Sequence, residues 1–516
     1  MKVDLFGFGA GAPLGASQGV ALLAGELAAR GHDVRLCPLD PRAAPGPAAA
    51  LAAARGAEVA AVSFASVHAL PARVLVAALH AALPAARIVC GGAHPTVAPD
   101  EVGGWPGVSA VGRGECDGVF ADLVDAWAAG VALPATPGFR LRRPDGGVQD
   151  NPLPSPPSLE GPGAFCEALD VRGSVAADHG RVSLTVTRGC PYRCAHCAGW
   201  VTAPGPLDRC RRRSVGDAVA AVRRLVRRAG DAARLVVFDD DPLLADPEWF
   251  GAFAARLAAE VGLPYIATGA VDRVDAEVAR VLARTGCLLL RVDLRTTVPR
   301  LARLALRPAR PPEVITRAFR VLHDHGVSAG ANVFFGIPTE TRADVEATLS
   351  TCAAAGADAV DAAFLLPVAG TELHDYCAAN GLLPPDASPP RDAPGSPLRW
   401  PPDHELFLQK ALTLFPWLLS ATLPTSPAAP VYRGFAEEAI AMDADTWARP
   451  GVQRFLRETT LRLDRSQRRA GIPHYLAPFP DRPGRAFLVR PDRPRPLPQV
   501  DDAWPPDAPW RREPVP

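Results

Sequence analysis

The run VSLTVTRGCPYRCAHC, residues 182–197, decides the reading of this chain. Residues 182–186 are apolar enough and β-prone enough to form a strand. The loop after them sets Cys190, Cys194 and Cys197 at a C-x3-C-x2-C spacing. Three thiolates on one short loop can hold three irons of a four-iron cluster, leaving the fourth iron open to a small chelating ligand. Two other readings of these cysteines stand beside that one. As ordinary buried thiols they would pack as small hydrophobes, but a loop carrying Pro191, Tyr192 and Arg193 is polar for a core. As zinc ligands they would need a fourth donor, and Cys210 is the candidate. The first spacing differs from the usual zinc knuckle, and Cys210 lies in a basic run, residues 209–213.

Working outward, six strand-and-helix units are expected from residue 181 to about 385. Their strands fall at 182–186, 235–238, 265–269, 288–293, 329–335 and 359–365. Six parallel units make an open, partial (β/α)6 barrel, whose chemistry belongs at the C-terminal ends of its strands. The cysteine loop follows the first strand and falls there. Residues 1–135 alternate in the same way, with strands at 3–8, 33–37, 59–64, 87–90 and 108–111. This predicts a doubly wound, Rossmann-like parallel sheet with its ligand crevice at the strands' carboxyl ends. Residues 136–180 are rich in Pro and Gly and read as a linker of little regular structure. Residues 386–516 read as a mostly helical region with a Pro-rich tail.

The chain has 516 residues and a net charge of zero, so no general attraction to nucleic acid or an anionic membrane is expected. Eleven cysteines in this length do not suggest a disulfide scaffold. The start reads as a strand rather than a signal peptide, and a reducing cytoplasm suits an oxygen-sensitive cluster. Lys2 and Lys410 are the only lysines; with abundant Ala, Pro and Gly this looks like a coding bias.

The cysteine motif resembles that of the radical S-adenosylmethionine (SAM) superfamily, and further segments carry the resemblance across the barrel. FDDDP at 238–242 is similar to the family's FxDDxF, GIPTET at 336–341 to GLPGET, and PVAGTEL at 367–373 to PxPGTEL. The resemblance implies a [4Fe-4S] cluster on Cys190, Cys194 and Cys197, with SAM contacts at His196, Asp240, Asp241, Gly336 and Glu340. One departure stands out. Where the family commonly shows GIESG, this chain has DLRTT at 293–297. The usual glutamate is replaced by Arg295, so contacts to SAM must differ there. Asp293 compensates, or Arg295 binds an acidic group of the substrate; both are candidate catalytic residues.

In the first domain, Ser63, Ser66, Gly91, Gly92, His94, Gly114 and Glu115 resemble the pattern of cobalamin-binding domains fused ahead of radical SAM barrels. Small residues at strand ends leave room for the nucleotide tail and corrin edge. The DxHxxG motif is missing, so cobalt without a protein histidine ligand is implied; His68 and His94 are the nearby imidazoles. The resemblance implies a cobalamin-dependent radical SAM enzyme, foremost a C-methyltransferase acting on a small-molecule or natural-product intermediate through methylcobalamin and a 5'-deoxyadenosyl radical. It also implies an external electron donor of flavodoxin or ferredoxin type. Three alternatives remain: a cobalamin radical SAM cyclase or rearrangement enzyme, a polar methyltransferase, and a non-catalytic cobalamin-binding protein with a vestigial barrel. A methylthiotransferase would need a second set of cluster cysteines in the first domain.

Overall fold

The computed structural model describes residues 1–8, 18–39, 46–160, 171–199, 210–240, 243–305, 310–384, 395–424, 426–476 and 485–490. The first sheet contains β1 (Lys2–Phe8), β2 (Asp33–Leu39), β3 (Val59–Ser63), β4 (Arg87–Gly91) and β5 (Val108–Gly112). These five are parallel in the order β2-β1-β3-β4-β5. Side chains alternate between two apolar layers: Val3, Leu5, Val59, Ala61 and Val89 pack on one face, and Phe6, Ala60, Val62, Ile88 and Cys90 on the other. Burial on both faces explains why these strands read as continuous apolar runs.

The stretch expected to be a linker of little regular structure is in part a continuation of this sheet. Phe139–Arg142 (β6) pairs antiparallel with β5, and Val148–Asp150 (β7) pairs with β6. Residues Val171–Ala177 form a helix. The linker reading fails here because an edge hairpin needs few apolar residues: Phe139 and Leu141 supply its buried contacts.

The second sheet begins with β8 (Arg181–Leu184). A two-residue bridge, β9 (Thr187–Arg188) with β10 (Arg211–Arg212), stands beside it. The remaining strands are β11 (Leu235–Phe238), β12 (Tyr265–Gly269), β13 (Cys287–Arg295), β14 (Ser328–Phe335) and β15 (Ala359–Phe364). All six long strands are parallel in sequence order, with β8 at one edge. The C-terminal region is mostly helical, yet it also adds β16 (His474–Leu476) and β17 (Arg485–Val489), antiparallel beyond β15.

Helices cover the outward face of this sheet in one continuous core. Their starts follow local chemistry: Ser214, Asp246, Asp275 and Thr341 each accept a bond from a first-turn N–H, which satisfies donors that a helix start leaves bare. The inward face is different. Leu235, Val237, Ile266, Leu289 and Ala359 form an apolar floor with Phe487 of β17. Above it the same strands turn polar. Among the described residues no helix is long and apolar enough to cross a membrane.

Candidate cofactor site

Two cavities meet at the cysteine loop. The larger, about 520 Å3, runs between the carboxyl ends of the first sheet and the barrel mouth. Ser63, Gly91, Gly92, Thr96, Gly114 and Glu115 line one side, and Thr187, Arg188, Cys190, Cys197 and Asp239 the other. The smaller, about 110 Å3, lies at the barrel mouth. All three cysteines line it, together with His196, Asp293 and Arg295. Cys190 and Cys197 therefore border both spaces.

The donors are three thiols on one short loop, the ligand type an iron–sulfur cluster takes. Among the described residues no three Cys, His, Asp or Glu side chains converge as a lone metal ion requires. The three thiols instead share one cavity wall. Cys210, the zinc candidate, starts the segment leading into β10 and lies outside both walls.

Asp240 fixes the approach to the cysteines. Its buried carboxylate accepts bonds from the N–H of Val186 (2.8 Å), the N–H of Thr187 (2.5 Å) and the hydroxyl of Thr187 (2.6 Å). Burial pushes this carboxyl up to about 7 despite those donors. Asp240 thus ties β11 to the strand end that launches the cysteine loop, and it also borders the larger cavity. Asp241 lies outside the described residues.

His196 donates from Nδ1 to the carbonyl of Ala305 at 2.8 Å. Burial pushes its imidazole down to about 4, so the ring is neutral near pH 7 and keeps Nε2 as an acceptor. The ring meets Phe334 edge-on at 5.2 Å. The guanidinium of Arg295 covers Phe334 at 4.6 Å and pairs with Asp293 at 2.7 Å. Asp293 also accepts from Asn332 at 2.7 Å. Arg295 has φ of 60°, unusual for a non-glycine residue and a mark of local constraint. The register slips between Asp293 and Arg295, and that bulge brings Arg295 to the cavity wall. Phe334, which joins Arg295 to His196, was not singled out from the sequence.

Gly336 and Glu340 lie outside both walls. Gly336, at φ 73°, donates its N–H to the Glu340 carboxylate at 2.6 Å, so Glu340 closes its own turn rather than reaching for a ligand. Burial pushes Glu340 from 4.5 up to about 8. Between those values the native state keeps a proton that the unfolded chain has lost, so this group's contribution to stability falls as pH rises through that window. Glu340→Gln should flatten the decline in thermal midpoint from about pH 5 to about pH 8; an unchanged slope would contradict this.

In the first domain, Gly91 opens on the larger cavity, and a Cβ there would meet nothing within 4 Å. Gly92 has φ of 100°, and a Cβ would stand 2.8 Å from the Phe64 carbonyl. This turn carries His94 away from the cavity, where it bonds the Ser66 hydroxyl at 3.1 Å and packs on Phe64. Ser66 and His94 therefore brace the loop outside the cavity wall, which corrects their expected place beside a corrin. No histidine lines the larger cavity among the described residues.

Glu115 has a second task. Arg188, just before the cysteines, donates to Glu115 at 2.7 Å and to Asp117 at 2.8 Å and 2.9 Å, and Arg211 also pairs with Glu115. These pairs clasp the first sheet's loop to the cysteine loop across the cavity. Arg188→Met should cost about 2 kcal/mol, discounted for partial exposure, and raise proteolysis at the seam. Unaltered cleavage there would count against the clasp.

A model described as "Radical SAM superfamily" matches residues 184–352, and one described as "B12 binding domain" matches residues 12–124. An uncharacterized methyltransferase, PH0819, of Pyrococcus horikoshii is 26% identical over 302 residues, covering 57% of this chain. The chain spans 64% of that relative's length. Among solved structures, the radical SAM methyltransferase TsrM of Kitasatospora setae, with tryptophan substrate and aza-SAM bound, is 18% identical with a TM-score of 0.59, covering 73% of this chain and 76% of its own. The cobalamin-dependent radical enzyme OxsB, with aqua-cobalamin bound, is 12% identical with a TM-score of 0.63, covering 85% and 71%. At these identities the likeness shows the fold. The two domain matches imply a [4Fe-4S] cluster, SAM and cobalamin as the cofactors. With a B12-binding domain preceding a radical SAM domain, the chain belongs to the cobalamin-binding radical SAM proteins.

Proposed function

We propose that the chain is a cobalamin-dependent radical SAM methyltransferase that transfers a methyl group to carbon of a small molecule. The observation that carries this reading is the shared cavity: glycine loops of the first sheet and two of the three cysteines border one space. When bound, the cluster with SAM supplies a route to a 5'-deoxyadenosyl radical, and cobalamin supplies a methyl carrier.

The chain's own residues would place and shield these groups. Cys190, Cys194 and Cys197 hold the cluster, and Asp240 fixes their loop. His196 presents a neutral acceptor at the smaller cavity, where Arg295 and Asp293 form a paired wall. Ser63, Gly91, Gly92 and Gly114 leave the larger cavity open for a corrin. The Arg188 clasp holds the two domains against solvent entry.

Arg295 supports a second reading, polar methyl transfer, because its charge is opposite to that of the glutamate the resemblance implies at this position. Anaerobic turnover with SAM and a methyl acceptor separates the two. Equal yields of 5'-deoxyadenosine and S-adenosylhomocysteine are expected. S-adenosylhomocysteine alone would replace the radical reading by the polar one, and neither product would overturn both.

A further inference from the structure

Three non-glycine residues among those described hold a positive φ, and two of them bear on one short helix. Arg295, at φ 60°, lies just before the helix Pro299–Ala305. Thr339, at φ 69°, meets the first turn of that helix. The Arg300 guanidinium donates to the Thr339 carbonyl at 3.1 Å and to its hydroxyl at 3.0 Å. Positive φ is a strained state for a β-branched residue and persists only where its surroundings over-determine it. The GLPGET pattern that residues 336–341 resemble has glycine at this place, and glycine would hold the same turn without strain.

The helix is pinned along one side and holds the wall of the smaller cavity at both ends. Thr296 and Thr297, both buried, bond the hydroxyls of Thr348 and Thr351 at 3.2 Å each, on the helix Arg342–Ala354. Arg300 reaches the same helix through Asp344 in its first turn. Leu301 and Ala305 pack with Ala195 of the cysteine loop and with Ile337 of the Thr339 turn. The Ala305 carbonyl, at an end where a helix leaves carbonyls without partners, accepts the Nδ1 proton of His196 at 2.8 Å. The helix therefore joins Arg295 at its entry to His196 at its exit, and both line the smaller cavity. Arg300 and Thr339 line neither cavity. Both are exposed, where an ion pair such as Arg300 with Asp344 adds little to stability.

We propose that Arg300 and Thr339 are positioning residues for SAM: their tie sets the Pro299–Ala305 helix, and the helix sets His196 and Arg295 at the smaller cavity. The strained turn keeps the Thr339 hydroxyl and carbonyl aimed at Arg300. A glycine there would let the turn relax and would remove one of the two acceptors. His196 would then bond a carbonyl no longer held in place, and the bulge at Arg295 would lose its fixed exit. This assignment rests on the reading of the smaller cavity as the place where SAM meets the cluster, and it adds two residues from outside that cavity.

Thr339→Gly separates positioning from stability, because the two effects run in opposite directions. Glycine accepts the positive φ, which offsets its looser unfolded chain. The thermal midpoint should therefore match or exceed the parent's, with iron retained. SAM binding to the iron-loaded protein, by anaerobic equilibrium dialysis, should weaken about fivefold or more. Arg300→Ala should weaken it similarly, and Thr339→Ser, which keeps the hydroxyl, should bind as the parent does. In protein without cofactors, amide hydrogen exchange of residues 296–305 should be faster in Thr339→Gly and Arg300→Ala. Affinity within about twofold of the parent in both variants would overturn the proposal. So would a fall in midpoint that matches the loss of binding. A parent that takes up neither iron nor SAM would overturn the cofactor reading; the exchange rates then judge the tie alone, and unchanged rates would overturn it.

Discussion

Cys194→Ala is expected to lower iron from about four atoms per chain towards none and to reduce both SAM-derived products to background. The three cysteines border one cavity, and a cluster with only two thiolate ligands lacks the anchoring that a site-differentiated four-iron centre needs. The cost to folding should stay near 1 kcal/mol, because Cys194 is only partly buried on a loop. Cobalt retention should persist, since the first sheet's glycine loops are untouched. Iron content and thermal melting of the anaerobically purified variant check this. Full iron retention, or turnover equal to the parent, would contradict it.

The second large effect is on folding, and through folding on the cluster. Asp240→Ala removes the acceptor of three donors, the N–H groups of Val186 and Thr187 and the Thr187 hydroxyl. Each buried donor left bare costs about 1–3 kcal/mol, so a loss of about 3–6 kcal/mol is expected after partial relaxation. The strand end those donors belong to leads directly into the cysteine loop, so iron retention should fall as well. Asp240→Asn should do much less damage, because all three donors converge on Oδ1, which the amide oxygen can replace, and only the 3.1 Å contact of the Val186 N–H to Oδ2 is lost. Denaturant unfolding of the three chains orders the effects; Asp240→Ala within 1 kcal/mol of the parent would show that the carboxylate does not hold the strand.

The parallel strands were legible in the sequence because most of them pack at least one face into an apolar core, and the helices between them begin at recognisable caps such as Asp246 and Thr341. The edge strands were not. Phe139–Arg142 and Val148–Asp150 lie in a Pro- and Gly-rich stretch and bury little. Strands His474–Leu476 and Arg485–Val489 are short additions after a long helical run. Motifs placed residues near the right strand ends but could not say where side chains point. The positive φ of Gly92 turns His94 away from the cavity. The bulge before Arg295 turns that arginine to the cavity wall. Glu340 carried a motif reading as a ligand contact, yet it closes its own turn. Pairings across the seam, such as Arg188 with Asp117, join residues distant in sequence and leave no local pattern.

The central claim is that the cysteine trio and the corrin share one cavity. Electron paramagnetic resonance of protein loaded with both cofactors, with cobalamin as Co(II) and the cluster reduced, tests it most directly. Spin coupling between the two centres, lost in Cys194→Ala, is the expected result. Two fully loaded but magnetically isolated centres would contradict the account.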